Sequence, residues 1–386
     1  TYRMTGLDWV VLLGFVAVMA SGLEVFLGMR RLARAADLPP WDRPSHPRVS
    51  IIVPARDEAR RIEHAMRSLL AQQWPALEIV AVNDRSGDDT GAILDRLAAE
   101  DRRLEVVHVG DLPPGWLGKN HALHLGAGRA RGDWLLFADA DVVLDPGLLG
   151  RVLRYAHERG FDHVALAPEL RLPGLLLEAF SAGFIVSFNA FLKPWKARDP
   201  KSARFVGIGA FNLVRAVSYR AAGGHEPIRL RPDDDIKLGK LLKRAGARQD
   251  LVTGRGMATV EWYHSVRELV HGLEKNAFAG LEYRVWLGLL GVGLHLALGL
   301  GPLLGVIVLR GLPQVLSAVA VGWALVLHAH VAGENGMRRR SAFLYPLSVL
   351  LFNWIVLRTM TVNLVRGGIR WRGTFYPLDA LRGNRV

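Results

Sequence analysis

Long apolar segments flank one long stretch of mixed composition in this chain. The apolar segments cover residues 7–29, 286–309, 312–332 and 342–365. Each is close to the roughly 20 residues that an α-helix needs to cross the hydrocarbon core of a bilayer. Residues 30–285 have the composition of an ordinary soluble domain. The pattern therefore predicts an integral membrane protein with one transmembrane helix before a globular domain and about three after it.

Short apolar runs alternate with amphipathic stretches in the first half of the globular part. Runs of strand length cover residues 49–54, 77–82, 104–109 and 134–138, and helical spacing covers residues 59–73, 88–99 and 120–131. This alternation predicts a Rossmann-like α/β layer, a parallel sheet covered by helices on both faces. No G-x-G-x-x-G follows the first strand, which argues against a dinucleotide-binding dehydrogenase.

Polar residues follow three of the four predicted strands, at the strand ends where such sheets bind ligands. They are Pro54-Ala55-Arg56-Asp57-Glu58, Asn83-Asp84-Arg85 and Asp139-Ala140-Asp141. On an extended chain Asp139 and Asp141 point to the same side. Two such carboxylates suit a divalent cation, Mg²⁺ or Mn²⁺, that also holds a diphosphate. The alternative is that this common D-x-D triplet is only a solvated strand end.

The charge distribution indicates a membrane surface as partner, with no nucleic acid. The net charge is +13, and arginines follow the apolar segments, as at Arg30, Arg338 and Arg366. Basic residues beside transmembrane helices are typical of cytoplasmic anchors on anionic lipid. Zinc-finger spacing, an aromatic RNA-binding strand pattern and a continuous basic helix are all missing from the sequence. The chain has no cysteine, which excludes a disulfide framework and a thiol nucleophile.

The second half of the globular part contains an apolar stretch of helical spacing and two closely spaced glycines. Residues 172–192 carry aromatic residues at near-helical spacing beside a basic cluster, which favours an interfacial helix over a core helix. Gly207 and Gly209 allow close approach of the backbone to a sugar or lipid headgroup. The predicted domains are residues 1–36 (transmembrane helix), 37–285 (globular domain, with halves at 37–145 and 146–285) and 286–386 (transmembrane segments and basic tail).

Several stretches together resemble glycosyltransferase family 2, nucleotide-sugar enzymes with the GT-A fold. They are VSIIVPARDEARRI, IVAVNDRSGDDT, GKNHAL, GRARGDWLLFADADVV and RPDDDIKLGKLLKRAG, and they cover about residues 48–250. The C-terminal apolar segments and the ending RGGIRWRGTFYPLD look most like the membrane-bound lipid glycosyltransferases. Among those, the chain resembles the hopanoid-associated and carotenoid enzymes and, more distantly, ceramide glucosyltransferase.

This resemblance implies that residues 37–145 bind the nucleotide-sugar and that residues 146–285 bind the acceptor. The implied nucleotide-sugar-binding residues are Pro54, Ala55, Arg56, Glu58, Asp84, Lys119, Asp139, Ala140 and Asp141. The residues from Pro54 to Glu58 and Asp84 would hold the uridine. Lys119 would lie near the donor phosphates or ribose, although a surface lysine at a helix start is an equal alternative. Asp139 would face the donor sugar or ribose, and Asp141, with Asp139, would bind the metal.

The resemblance also places a catalytic base in the stretch RPDDD. The second member of the family's acidic pair deprotonates the acceptor hydroxyl, and here that member is Asp235, with Asp234 as the reserve candidate. The helix macrodipole alone explains one acid at such a helix start. The Q-x-x-R-W of processive members is missing from the sequence, so polymer synthesis is not expected. Arg267 or Lys275 is predicted to supply positive charge at the donor phosphates.

The sequence thus predicts an inverting glycosyltransferase that moves a sugar from a UDP-sugar to a membrane lipid hydroxyl of a hopanoid, another terpenoid or a ceramide-like lipid. Transfer to a polyprenyl phosphate and a non-catalytic membrane scaffold are the alternatives. We expect Met4 to be the natural start, and the catalytic domain to face the cytoplasm at a bacterial-type inner membrane. The fourth apolar segment, with Pro346 and Arg358, is open between spanning and re-entering.

Overall fold

The computed structural model describes residues 5–386, so Met4 lies outside the described residues. The strands are β1 (Ala33–Arg34), β2 (Val49–Ala55), β3 (Leu77–Asp84), β4 (Leu104–Val109), β5 (Trp134–Phe137), β6 (Val142–Leu144), β7 (His163–Ala167), β8 (Glu169–Arg171), β9 (Asn212–Arg215), β10 (Gln249–Thr253), β11 (Ala258–Glu261), β12 (Gly368–Trp371) and β13 (Thr374–Pro377). The helices are α1 (Gly6–Met29), α2 (Ile62–Leu70), α3 (Thr90–Glu100), α4 (Gly118–Arg129), α5 (Leu148–Arg159), α6 (Leu175–Leu192), α7 (Ala216–Ala221), α8 (Asp234–Arg244), α9 (Val266–Leu273), α10 (Val285–Val308), α11 (Leu312–Glu334), α12 (Tyr345–Arg366) and α13 (Leu378–Gly383).

Contacts divide the chain into two compact units. The first, called the sheet unit, contains residues 32–170, 194–261 and 380–386, and the second, called the helical unit, contains residues 5–31, 171–193 and 262–379. The helical unit therefore takes in two stretches, 171–193 and 262–285, that the predicted order of consecutive domains assigns to the globular part. Their apolar residues pack with one another, as Leu177 and Phe180 of α6 do with Leu269 of α9.

The sheet unit is built on an eight-stranded sheet in the order β1-β10-β7-β9-β5-β2-β3-β4. β2 pairs in parallel with β3 and with β5, and β3 pairs in parallel with β4, which confirms the four predicted parallel strands. β9 lies between β5 and β7 and runs antiparallel to both. This reversal, absent from the predicted parallel sheet, brings the segment before β9 to the edge where β5 ends.

Apolar side chains of β2 fill both faces of the sheet, which is why the run reads as uniformly hydrophobic. Ile51 belongs to a core cluster with Leu69 of α2, whereas Ile52 belongs to another with Leu123 of α4. Successive strand residues point to opposite faces, so each neighbour meets a different layer of helices. The prediction of a sheet covered on both faces is confirmed.

The first helix after β2 begins three residues later than its predicted start at residue 59. The Glu58 N–H donates to Thr90 Oγ1 (2.8 Å) and the Ala59 N–H to Asp88 Oδ2 (3.1 Å). Asp57 has a φ of 54°. These contacts with the loop before α3 hold the segment after β2 in a non-helical conformation, so α2 starts only at Ile62.

The helical unit contains helices that are long and apolar enough to cross a membrane by length and composition. Five such candidates cover Gly6–Met29, Leu175–Lys196, Val285–Val308, Leu312–Glu334 and Arg339–Arg366. Four correspond to the predicted apolar segments, and the additional one contains α6. That α6 lies in the interface, as its aromatic and basic residues favour, stays a prediction.

Ion pairs accompany the charged residues of the helical unit. Arg358 and Arg366 of α12 both donate to Glu274, at 2.7 and 2.8 Å, and Arg338 donates to the buried Glu178 at 2.9 Å. Pro346 lies in the first turn of α12, where its missing N–H leaves no helical hydrogen bond unmade. α12 is therefore one continuous helix, and pairing reduces the cost of placing Arg358 among apolar residues.

Candidate functional site

A pocket in the sheet unit opens where β5 ends and collects acidic side chains from distant parts of the chain. It is lined by Lys119, Leu123, Phe137, Ala138, Asp139, Gly209, Asn212, His225, Asp234, Asp235 and Leu238. Asp139 follows β5, Lys119 lies in the first turn of α4, and Asp234 and Asp235 begin α8. Gly209 comes from the loop before β9. The fold thus brings four of the predicted site residues and one of the two predicted glycines into one pocket.

Lys119 joins two of the acidic groups. Its Nζ lies 2.9 Å from Asp139 Oδ1 and 3.5 Å from Asp234 Oδ2. Burial acts to lower the pKa of Lys119, but attraction by Asp139, Asp234 and Asp235 outweighs burial and raises that pKa above its usual range. Lys119 is therefore an ion-paired cation that lines the pocket, and its contact with donor phosphates or ribose stays a prediction.

The three consecutive aspartates of the RPDDD stretch have different surroundings. Arg231, only 1% exposed, donates from Nε to Asp233 Oδ1 (2.9 Å) and from Nη2 to Asp233 Oδ2 (3.0 Å). This bidentate pair commits Asp233 to a structural contact. Asp234 and Asp235 are the members that line the pocket, in agreement with the predicted acidic pair.

Asp235 is held by the loop before β9. The backbone N–H of Gly209 donates to Asp235 Oδ2 at 2.7 Å. Burial raises the pKa of Asp235, with the charge of Lys119 acting in the opposite direction. The Ile236 N–H donates to the other oxygen, Oδ1, at 2.8 Å. A carboxylate whose pKa is raised by burial is a stronger proton acceptor than a solvated aspartate.

The two glycines of this loop are required by the protein's own acidic residues. A Cβ added at Gly207 would collide with the carbonyl oxygen of Asp235, and one added at Gly209 would lie 2.8 Å from Asp139 Oδ2. The expected close approach of the backbone is present, and its partners in the structure are Asp235 and Asp139. Contact of Gly207 and Gly209 with an acceptor stays a prediction.

Asp141 lies beside Asp139, but it is in a turn and not in the extended strand that the sequence predicted. β5 ends at Phe137 and the chain turns at Ala140 and Asp141, so the expected alternation along one extended strand does not apply. Burial first, and then the charges of Asp139 and Glu58, raise the pKa of Asp141 to about 7, against the effect of Arg61. Arg61 Nη1 lies 3.4 Å from Asp141 Oδ2.

The carboxylates of Asp139, Asp141 and Glu58 repel one another, and a bound cation would relieve that repulsion. The residues present therefore fit a divalent metal. Within residues 5–386, no group of three or more histidine, aspartate or glutamate side chains could hold a metal ion alone. Asp139 and Asp141 would therefore supply only part of a coordination shell.

The predicted uridine-side residues meet at the ends of β2 and β3. Asp84 is 4% exposed and accepts from Arg85 Nε at 2.8 Å, while Arg56 Nη1 lies 3.8 Å from Asp84 Oδ2. A Cβ at Gly118 would collide with Asp84, so the start of α4 packs directly against this carboxylate. Pro54 and Ala55 are the last two residues of β2, and Ala140 lies in the turn after β5.

Asn120 was not among the predicted site residues, although it adjoins Lys119 in sequence. Its side chain is fully buried, and Nδ2 donates to the carbonyl oxygens of Ile228 (2.7 Å) and Arg231 (2.9 Å). Asn120 thereby ties the first turn of α4 to the loop that leads into α8. The only sequence signal for Asn120 is its position next to Lys119 in the stretch Gly118-Lys119-Asn120.

Arg267 and Lys275 belong to the helical unit. Arg267 is exposed on α9, and Lys275 Nζ lies 4.0 Å from the ring centroid of Trp371. A cation over an indole is a stable arrangement in its own right. Contact of either residue with donor phosphates stays a prediction.

An α/β sheet with this order and an acidic pocket at its carboxyl edge belongs to the GT-A fold class. Residues 50–213 match the sequence model of Glycosyl transferase family 2. The structure is similar to mannosyltransferase PcManGT from Pyrobaculum calidifontis, solved in complex with GDP-Man and Mn²⁺. That match covers 92% of this chain and 97% of the other, with a TM-score of 0.56 and 18% sequence identity, a likeness of fold.

Two sequence relatives are named 4,4'-diaponeurosporenoate glycosyltransferase. The relative from Staphylococcus haemolyticus (strain JCSC1435) is 26% identical over 60% of this chain and 61% of its own length. The relative from Staphylococcus aureus (strain MRSA252) is 30% identical over 47% of this chain and 48% of its own length. The chain thus spans only part of the length of the curated relatives it matches.

Proposed function

We propose that this protein is an inverting glycosyltransferase that moves a sugar from a UDP-sugar to the hydroxyl of a membrane lipid. The observation that carries the proposal is the pocket in which Lys119 joins Asp139 to Asp234, with Asp235 alongside. A family 2 domain and a glycosyltransferase fold support the same reaction class. The relatives' names support a lipid-like acceptor.

The donor half of the reaction needs stabilisation of a leaving diphosphate. In our proposal Asp84 and the residues from Pro54 to Glu58 bind the uridine, and Lys119 provides positive charge close to the phosphates. Asp139 and Asp141 would hold a divalent metal, Mg²⁺ or Mn²⁺. When bound, such an ion neutralises the negative charge that develops on the diphosphate.

The acceptor half needs a base within hydrogen-bond reach of the attacking oxygen. Asp235 has the properties for this role, since the Gly209 N–H fixes one of its oxygens and burial raises its pKa. In a single displacement, the acceptor oxygen attacks the anomeric carbon from the side opposite the diphosphate. Asp235 takes the hydroxyl proton as the new bond forms, and the anomeric configuration inverts.

The membrane helices explain why the acceptor is a lipid in this proposal. Five helices have the length and composition to cross a bilayer, which would place the protein in the same membrane as its lipid acceptor. Arginines that follow these segments favour a catalytic domain on the cytoplasmic side, next to anionic lipid. UDP-sugars are held in water and the acceptor in lipid, so the reaction would occur at the membrane surface.

An acceptor that is already an anion is the second candidate. A compound whose name ends in "-oate", as in the two relatives, carries a carboxylate, and a polyprenyl phosphate carries a phosphate. Neither has a proton to give up at neutral pH, so the base would contribute little. The Asp235 variant separates these acceptors from a hydroxyl.

The test uses purified, detergent-solubilised protein with a panel of UDP-sugars and a total lipid extract, and identifies the glycolipid by mass. Asp235→Asn should lose transfer by at least about 100-fold, while it binds UDP with Mn²⁺ as the wild type does. Transfer at the wild-type rate by this variant would remove Asp235 as base and favour an anionic acceptor. No metal-dependent UDP binding by the wild-type protein would contradict the enzymatic proposal altogether.

A further inference from the structure

A second cavity, of about 590 Å³, lies in the sheet unit at the end of the sheet opposite the acidic pocket. Its floor contains Trp134, the first residue of β5, and Arg215, the last residue of β9, which are paired in the sheet. The acidic pocket begins at Phe137, the last residue of β5. The two cavities are therefore separated by the length of this strand.

Guanidinium groups dominate the lining of this second cavity. Four arginines line it, Arg43, Arg131, Arg215 and Arg220, against a single carboxylate, Asp133. The charge of Asp133 is engaged by the backbone, since its Oδ2 accepts from the Arg48 N–H at 3.0 Å. The cavity thus carries a clear excess of positive charge.

Two of the four arginines have acidic partners and two do not. Arg215 Nε lies 3.4 Å from Asp162 Oδ1, and Arg131 Nε lies 3.5 Å from Glu78 Oε2. Arg43 and Arg220 have no carboxylate within 4.0 Å in the described part of the chain. Their guanidinium groups are available to a ligand.

The segment that carries Arg43 is folded before any ligand arrives. Trp41 Nε1 donates to the carbonyl oxygens of Arg43 (3.0 Å) and Ser45 (3.2 Å). The Trp41 ring packs edge-on against Trp74 and His157, with centroid distances of 5.2 and 5.9 Å. A preorganised wall reduces the entropy that a ligand must overcome.

We propose that this cavity is a binding site for a small molecule that carries a phosphate group. Guanidinium groups match phosphate oxygens in a two-point geometry, which lysine lacks. The volume lies in the range of small-molecule sites, and Trp41 offers a flat surface to an organic portion. Arg43 and Arg220 bind the phosphate, and Arg215, held 4.9 Å above the Trp134 ring, forms the floor. This proposal does not depend on the glycosyltransferase activity.

The experiment titrates full-length detergent-solubilised protein, in EDTA, with inorganic pyrophosphate and separately with dihexanoyl phosphatidic acid. Binding is measured by calorimetry and by tryptophan fluorescence. Arg43→Ala and Arg220→Ala should each weaken binding at least about threefold, and the double variant at least about tenfold. Both positions are exposed, as are the control positions in the next paragraph, so replacement of these arginines leaves the core intact.

Two controls make the result specific. Arg102→Ala removes an exposed arginine of the same unit far from the cavity in sequence and should bind as the wild type does. Arg244→Ala removes a second exposed arginine that does not line the cavity and should also leave pyrophosphate binding unchanged. Tighter binding of phosphatidic acid than of pyrophosphate would assign the phosphate to a lipid headgroup, and the reverse order to a soluble compound. No binding of either probe, or equal binding by the double variant, would overturn the proposal.

Discussion

Replacement of Gly207 by alanine tests the idea that backbone packing positions the proposed base. The added Cβ would lie 2.5 Å from the carbonyl carbon of Asp235 and 2.9 Å from the Cα of Ile236. The carbonyl oxygen of Asp235 lies closer still, and ordinary contacts begin near 3.4 Å, so one backbone segment must move by at least about 0.9 Å, the difference between 3.4 and 2.5 Å. Both obstacles are backbone atoms at the start of α8, which cannot rotate away as a side chain would.

A displacement of about 1 Å of a catalytic group costs on the order of 100-fold in rate. We therefore expect Gly207→Ala to lower kcat by roughly that factor at saturating UDP-sugar. Overpacking of this kind also destabilises by about 1–3 kcal/mol, which a thermal unfolding curve would show as a lower Tm. Calorimetry with UDP and Mn²⁺ should show donor binding close to that of the wild type, since Asp84 lies on another strand end.

Gly128→Ala is the matched control. A Cβ at Gly128 meets nothing within 4 Å, and the residue lies in α4, where alanine is favoured by up to about 1 kcal/mol. It should keep wild-type kcat and an equal or higher Tm. A Gly207→Ala variant with wild-type kcat would refute the link between this close approach and the placement of Asp235.

The remaining predictions concern buried charge, metal binding and pH. Arg231→Ala leaves Asp233 buried without its bidentate partner, so we expect a loss of about 3–5 kcal/mol in unfolding free energy, measured by denaturant titration of the sheet unit's tryptophan fluorescence; an unchanged midpoint would contradict a buried pair. Asp139→Asn should weaken Mn²⁺-dependent UDP binding at least about tenfold in calorimetry. Burial lowers the pKa of His163 to about 4 and that of His225 to about 3, below the value of 6.5 for an unfolded histidine. Only the unfolded state gains these protons as the pH falls below 6.5. The stability that these two neutral histidines contribute is therefore full above that pH and decreases between 6.5 and 4, by about 1.4 kcal/mol per histidine at pH 5.5. The raised pKa of Asp141, about 7, acts in the opposite direction over the same range, so thermal unfolding is compared at pH 7.5 and 5.5 for the wild type and a His225→Gln variant. The wild type should lose more stability than the variant as the pH falls, and an equal change in both would contradict the prediction.

The pattern of apolar positions alone determined much of the donor side of the fold. Strands β2 to β5 and helices α2 to α4 lie close to their predicted ranges, because burial on both faces of a parallel sheet demands continuous apolar runs. The strand ends at Glu58, Asp84 and Asp139 followed directly, since parallel strands present their carboxyl ends at one edge. The lengths of the apolar segments likewise predicted four of the five helices that are long enough to span a membrane.

Tertiary structure decided what those residues contact. β9 enters the sheet in the reverse direction and carries Gly209 to Asp235, a pairing between segments with no local signal for each other. Three adjacent aspartates look alike in sequence, yet the structure pairs Asp233 with the buried Arg231 at 2.9 Å and with Lys237 at 3.7 Å. The placement of residues 171–193 and 262–285 with the apolar helices arose in the same way. Periodicity records how much of a segment is buried, whereas the identity of the partner depends on the packing of the whole chain.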